Sequence, residues 1–128
     1  RDLHSFPTRR SSDLGDPARR AALARRGAEI LLLPGPGDQV DVEALLAELA
    51  RRGVNEVHAE AGFTLSGALL RAGLVDELLL YLAPCLVGDA ARGMFALPQI
   101  EALADRKQLC IRDLRLIGPD LRLLARFS

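Results

Sequence analysis

The stretch from Val57 to Leu70 constrains the fold more than any other part of the chain. Val57-His58-Ala59-Glu60 has the residue types of a buried strand ending on an acid. Ala61-Gly62 follows as a tight turn, and Thr64-Leu65-Ser66-Gly67-Ala68-Leu69-Leu70 reads as the start of a helix. Glycine at 62 permits backbone angles that a Cβ resists. The Thr64 hydroxyl is a candidate helix cap. A helix start carries free N–H groups and the positive end of the dipole, so this turn predicts a phosphate seat. Glu60 stands beside it at a strand's C-terminal end, where open α/β sheets place ligands. Its carboxylate either accepts hydrogen bonds from a substrate's amino or hydroxyl groups or serves structurally as a cap or ion-pair partner.

The flanking sequence reads as α/β scaffold. Asp16 as N-cap and Pro17 at the first helical position begin a helix that Ala18 to Arg26 continues and Gly27 stops. Glu29 to Leu33 is a short apolar run of the kind that forms a buried parallel strand, broken by Pro34-Gly35-Pro36-Gly37. Asp41 caps a helix from Val42 to Arg52, with Val42, Leu45, Leu46 and Leu49 on one face and Gly53 at its end. Glu56 to Glu60 is the second strand, and a helix from Leu65 to Ala72 closes at Gly73. Val75 to Ala83 is the third strand, which Pro84 ends because it donates no N–H. Gly88 to Gly93 is a loop and Pro98 to Ala104 a short helix. Gln108 to Ile117 and Leu121 to Phe127 flank Gly118-Pro119-Asp120 as an antiparallel hairpin. Cys110, Arg112 and Leu114, and Leu121, Leu123 and Ala125, are its period-two positions. Alternating strands and helices predict right-handed crossovers. The fold class is therefore α/β with a mixed sheet, mostly parallel, ending in an antiparallel hairpin.

Charge and length exclude several function classes. Seventeen Lys and Arg balance seventeen Asp and Glu, which gives no support for a nucleic-acid or membrane-surface partner. No apolar run approaches the ~20 residues of a membrane-spanning helix, and residues 1–15 lack the apolar stretch of a secretory signal. Cys85 and Cys110 form neither a CxxC pair nor a metal spacing. They read as buried, reduced thiols, which points to the cytoplasm. Aromatic residues are only 4% of the chain, with no Trp, so the core must be built from Leu, Ala, Val and Ile. Residues 1–14 are polar and without period. They resemble a translated sequencing-adapter scar, with a disordered native tail as the alternative. Residues 15–128 are read as one partial domain.

Three motif fragments overlap the central turn. His58-Ala59-Glu60 with Pro84-Cys85 echoes the zinc-deaminase pattern. The position of its last ligand is Gly88, leaving two ligands where three are needed. No metal site is therefore assigned, and His58 is read as packed on or beside the sheet. Gly62 to Gly67 has the glycine spacing of a P-loop, but Ala68-Leu69 follow where Lys and Ser or Thr belong. There is no G-x-G-x-x-G and no nucleophile triad, so no catalytic acid or base is assigned.

The run from Glu60 through Gly62, Thr64-Leu65, Ala72-Gly73-Leu74-Val75-Asp76-Glu77 and Ala83-Pro84 to Leu86 and Gly88 resembles the reductase domain of the bifunctional riboflavin-biosynthesis deaminase/reductase. Weaker similarity extends over Asp41-Val42, Leu45-Leu46 and Ile117-Gly118, so the resemblance covers about 15–127. It implies a three-layer dihydrofolate-reductase-like fold, here incomplete at the N-terminus. It also implies NADPH-dependent reduction of 5-amino-6-(5-phosphoribosylamino)uracil, whose ribose is opened to a ribityl chain, and a homodimer. By the same resemblance Glu60 contacts substrate, and Gly62, Phe63, Thr64, Leu65, Ser66, Gly67 and Ala68 hold NADPH, with Gly67 allowing close approach. Two residues depart from the family pattern: Phe63 replaces its usual Pro, and Cys85 stands where it often has Lys. The missing deaminase domain and first strands imply a fragment with reduced or no activity. The alternative is a non-catalytic α/β nucleotide-binding or assembly module.

Overall fold

Strand pairing decides what each side chain of the C-terminal half faces. In the computed structural model, which describes residues 16–127, β1 (Glu77–Leu82), β2 (Leu109–Ile117) and β3 (Asp120–Phe127) form one sheet in the order β1-β3-β2. Both pairings are antiparallel. Leu78, Leu80 and Leu82 stand opposite Ala125, Leu123 and Leu121. Leu109 and Ile111 stand opposite Phe127 and Ala125, and Leu114 and Leu116 opposite Leu123 and Leu121. Directly opposed residues share a face, so one face of the sheet is apolar throughout. Ala125, at its centre, is fully buried.

That face exists because of a bulge. Side chains alternate along a strand, and Ile111 and Leu114 differ by an odd number of positions, so a regular strand would put them on opposite faces. The register shifts between Ile111 and Asp113, leaving Arg112 without an opposite residue. The extra residue returns Leu114 and Leu116 to the face of Leu109 and Ile111. The period-two set Cys110, Arg112, Leu114 is corrected accordingly. On the other face Arg126 donates to the Glu77 carboxylate at 2.9 Å, and Arg115 and Arg122 both donate to Asp113.

The β2–β3 turn has two central residues. Ile117 pairs with Asp120, and Gly118 has φ +60. Glycine at the first central position is the mark of a type II′ hairpin, and Pro119 fixes the second near φ −65°.

The helices start where their caps dictate. Asp16 accepts from the Ala18 N–H at 2.8 Å before α1 (Pro17–Arg25). Asp41 accepts from the Ala44 N–H at 2.9 Å before α2 (Val42–Arg51), which buries Leu49. On α2, Glu48 takes a forked pair of hydrogen bonds from Arg51, at 2.8 and 2.7 Å, and a third from Arg52 at 2.6 Å. Arg52 also reaches Glu29 at 2.6 Å. These donors, Arg51 first, hold the Glu48 carboxyl well below the usual carboxylate range. The third helix, α3, spans Phe63–Arg71.

The chain divides into two compact units, one ending at Val57 and one beginning at His58. The mostly parallel sheet is not found among the described residues. Runs 29–33 and 56–60 lie outside any ladder, and Leu32 and Val57 are more than half exposed. An apolar run becomes a strand only where a neighbour takes its N–H and C=O groups. Here the Leu33 carbonyl instead accepts from the Asp41 N–H at 2.9 Å, beside an isolated Pro34–Val40 bridge. The helix expected over 98–104 is only a single 3-10 turn, Leu103–Asp105, preceded by an extended Ala102. The expected tail over 1–14 lies outside the described residues.

Candidate functional site

The residues singled out around the central turn fall at the start of α3. Gly62 is its N-cap, with φ −83 and ψ −178 and no side-chain cap hydrogen bond. These angles are open to any residue, so the conformational freedom expected of Gly62 is not used. What it provides is space: a Cβ there would meet no atom within 4 Å. Thr64 is exposed inside the first turn and does not cap it, because the helix begins one residue earlier, at Phe63. The N–H groups of the first turn therefore carry no side-chain cap. Ser66 donates its N–H to the Gly62 carbonyl and its hydroxyl to the Ala61 carbonyl, both at 3.1 Å.

Gly67 is buried. A Cβ on it would lie 2.5 Å from the Ala96 carbonyl oxygen and 2.6 Å from the Ala96 nitrogen. The close approach that this glycine allows is thus made by the chain's own backbone. Ala96 donates its N–H to the Phe63 carbonyl at 3.0 Å, and its carbonyl accepts from the Arg71 guanidinium. The Phe63 ring lies 3.6 Å from where a Cβ on Gly93 would stand. Phe63, the departure from the family pattern, thus helps to seat segment 93–96 along α3. Sequence reading missed this strap, although one signal existed. A glycine inside a helix costs about 1 kcal/mol against alanine and usually has a packing reason.

Glu60 precedes α3 and is 87% exposed, and His58, two residues before it, is 68% exposed. The His58 Nε2 lies 3.3 Å from a Glu60 carboxylate oxygen. His58 is therefore not packed on the sheet, since the run that carries it joins no ladder. Both cysteines are free and exposed, not buried. Cys85 follows the end of β1, and Cys110 lies on the polar face, opposite Arg126.

Glu60 and the α3 start form an open surface. The cavity at the other end of α3, lined by Leu70, Gly73, Val75, Gln108 and Phe127 among others, does not include them. Leu70 is nearly fully buried, so that cavity marks where the helix end and Phe127 come together. Among the described residues no cluster of three or more His, Cys, Asp or Glu is placed to hold a metal.

An uncapped helix start beside an exposed carboxylate suits an anionic ligand with polar groups. Comparison with known proteins gives this arrangement a context. The sequence model of the RibD C-terminal domain matches residues 10–123. Riboflavin biosynthesis protein RibD of Escherichia coli (strain K12) is 46% identical over 91 residues, which are 71% of this chain and 25% of that protein. The 5-amino-6-(5-phosphoribosylamino)uracil reductase of Buchnera aphidicola subsp. Acyrthosiphon pisum is 35% identical over 86 residues, 67% of this chain and 42% of that protein. The solved structure of Acinetobacter baumannii RibD, form 1, superposes with a TM-score of 0.74 at 34% identity, covering 85% of this chain and 29% of that one. The chain thus spans between a quarter and a half of the length of these relatives. With 10–123 matched and identities of this size, the chain belongs to the RibD C-terminal domain family.

Proposed function

We propose that this chain carries the reductase half-site of a riboflavin-pathway enzyme. Its reaction is NADPH-dependent reduction of 5-amino-6-(5-phosphoribosylamino)uracil to the ribityl product. The observation that carries the reading is the uncapped start of α3 at Gly62, next to the exposed Glu60. The reductase name of the Buchnera relative supports the substrate.

The residues present fit a phosphate-bearing cofactor. The first-turn N–H groups of Phe63, Thr64 and Leu65 have no side-chain cap, and open space at Gly62 lets an anion reach them. Ser66 and Ala68 extend the same helical surface, and Gly67 shapes the site indirectly by seating Ala96. When bound, NADPH supplies the hydride. Glu60 orients the substrate by accepting hydrogen bonds from its amino or hydroxyl groups.

The same reading places the described elements in a dihydrofolate-reductase-like three-layer fold. It makes the protein a cytoplasmic homodimer. Free thiols at Cys85 and Cys110 suit a reducing compartment. The exposed apolar side chains of Leu114 and Leu116 suit a protein contact.

Fluorescence titration with NADPH, with NADH as control, tests the site. Saturable binding that prefers NADPH is expected. Gly62→Asp should raise stability by only about 0.3 kcal/mol, because its carboxylate caps α3 but glycine is already a favourable N-cap. The same variant should lose most NADPH affinity, because that carboxylate occupies the anion seat. Absence of saturable NADPH binding by the unaltered chain overturns the reading.

A further inference from the structure

We propose that His58 is the proton donor of this reduction, with Glu60 holding its imidazole toward the substrate; the proposal rests on the reductase reading above. Residues two apart on an extended run project to the same side, and here they meet, His58 Nε2 lying 3.3 Å from Glu60 Oε1. Both side chains are mostly exposed, so a substrate lying on Glu60 also reaches the imidazole.

The chemistry requires such a group. Opening the ribose ring of a glycosylamine leaves a C=N bond between C1 and the amino nitrogen. C1 receives a hydride from the reduced nicotinamide, and a C–H bond forms. The π pair of the C=N bond moves to nitrogen, which must take a proton to become the ribityl amine. An ionised carboxylate only accepts hydrogen bonds. A protonated imidazole has a donor on each nitrogen, so one N–H can rest on Glu60 while the other faces the substrate nitrogen. Transfer leaves neutral imidazole, oxidised cofactor and the saturated amine, and water restores the proton to His58. Histidine is the side chain that ordinarily exchanges protons near neutral pH, and His58 is the one histidine among residues 16–127.

The test uses His58→Ala and His58→Asn in the full chain. The exposure of His58 makes both variants tolerable to the fold, and circular dichroism checks this. NADPH affinity should stay within twofold of the unaltered chain, while kcat falls by about a hundredfold, the scale of a lost general acid. Added imidazole should restore part of the rate to His58→Ala and none to the unaltered chain. The 15N resonances of the His58 ring should also move when substrate and NADP+ form the dead-end complex. Unchanged kcat in both variants, or equal loss of NADPH binding, overturns the proton-donor role while leaving the reductase reading intact. If the unaltered chain binds NADPH but does not turn over, the 15N shift decides: a moved resonance supports the role and an unmoved one overturns it. A chain that binds no NADPH ends both readings.

Discussion

The backbone of Ala96 stands where a side chain on Gly67 would begin, its carbonyl oxygen 2.5 Å from the ideal Cβ position. Nothing flexible is available to yield, because the opposing atoms are main chain. Ala96 is also held at both ends, by the Phe63 carbonyl and the Arg71 guanidinium. Gly67→Ala should therefore lift segment 93–96 off α3 and cost about 1–3 kcal/mol through overpacking, despite alanine's better helix propensity. A urea melt that finds the variant as stable as the parent would refute this contact.

Acid should act on α2 through Glu48. Hydrogen bonds from Arg51 and then Arg52 lower its pKa from 4.5 to about 2. A carboxyl depressed in the folded state contributes stability that is present above the unfolded value. That contribution is lost as pH falls through the folded one. The urea midpoint should therefore drop between about pH 4.5 and about pH 2, and Glu48→Gln should lessen that drop. Identical acid profiles for the two proteins would contradict the assignment.

Arg112 should be dispensable to the pairing, whether replaced or removed. Arg112→Ala keeps the residue count of the bulge and should change stability by about 0.5 kcal/mol or less, as exposed substitutions do. Deletion of Arg112 leaves Ile111 and Leu114 two positions apart, so a regular strand keeps Leu109, Ile111, Leu114 and Leu116 on the apolar face. Deletion of Cys110 instead sets Leu109 beside Ile111 and turns Leu109 to the polar face. Thermal unfolding should show a clear loss for the Cys110 deletion and little for the Arg112 deletion.

At the hairpin, Gly118 holds φ +60. Gly118→Ala should cost about 1–3 kcal/mol, because a residue with a Cβ is strained at the positive φ of this turn position. Gly118→Asn should cost a similar amount, because ψ at the first central position of a type II′ turn lies outside the αL region that asparagine tolerates. A negligible loss for both substitutions in denaturant melts would rule out the type II′ assignment.

Local signals in the sequence were the readable ones. Asp16, Pro17 and Asp41 mark helix starts through short-range hydrogen bonds, and the structure places α1 and α2 on them. The hairpin was legible from its apolar pattern and its Gly-Pro turn. The bulge had a signature too, the slip in apolar phase between Ile111 and Leu114, but reading Cys110, Arg112 and Leu114 as one row hid it. The strands expected at 29–33 and 56–60 were not decidable locally. Composition makes a strand possible, and only a neighbour makes it one. The position of His58 followed the same rule: its packing was inferred from a sheet that the described residues do not form. Cys85 and Cys110 were read as buried because they match no disulfide or metal spacing, but Cys110 falls on the polar face of β2, opposite Arg126, and both thiols are exposed. In the candidate site, the turn before a helix was legible, although the helix begins at Phe63 with an uncapped N-terminus. The role of Gly67 depends on Ala96, 29 residues away in the chain, and no local pattern announces that contact.

The interruption at Arg112 also makes the two margins of the sheet unequal. β2 presents its outer margin with the kink and altered spacing of a bulged strand, whereas β1 carries none from Glu77 to Leu82. A regular margin is a template on which another strand can be laid, and a bulged one is not. The sheet therefore has a polarity of growth: it accepts extension past Tyr81 and resists it past Arg112.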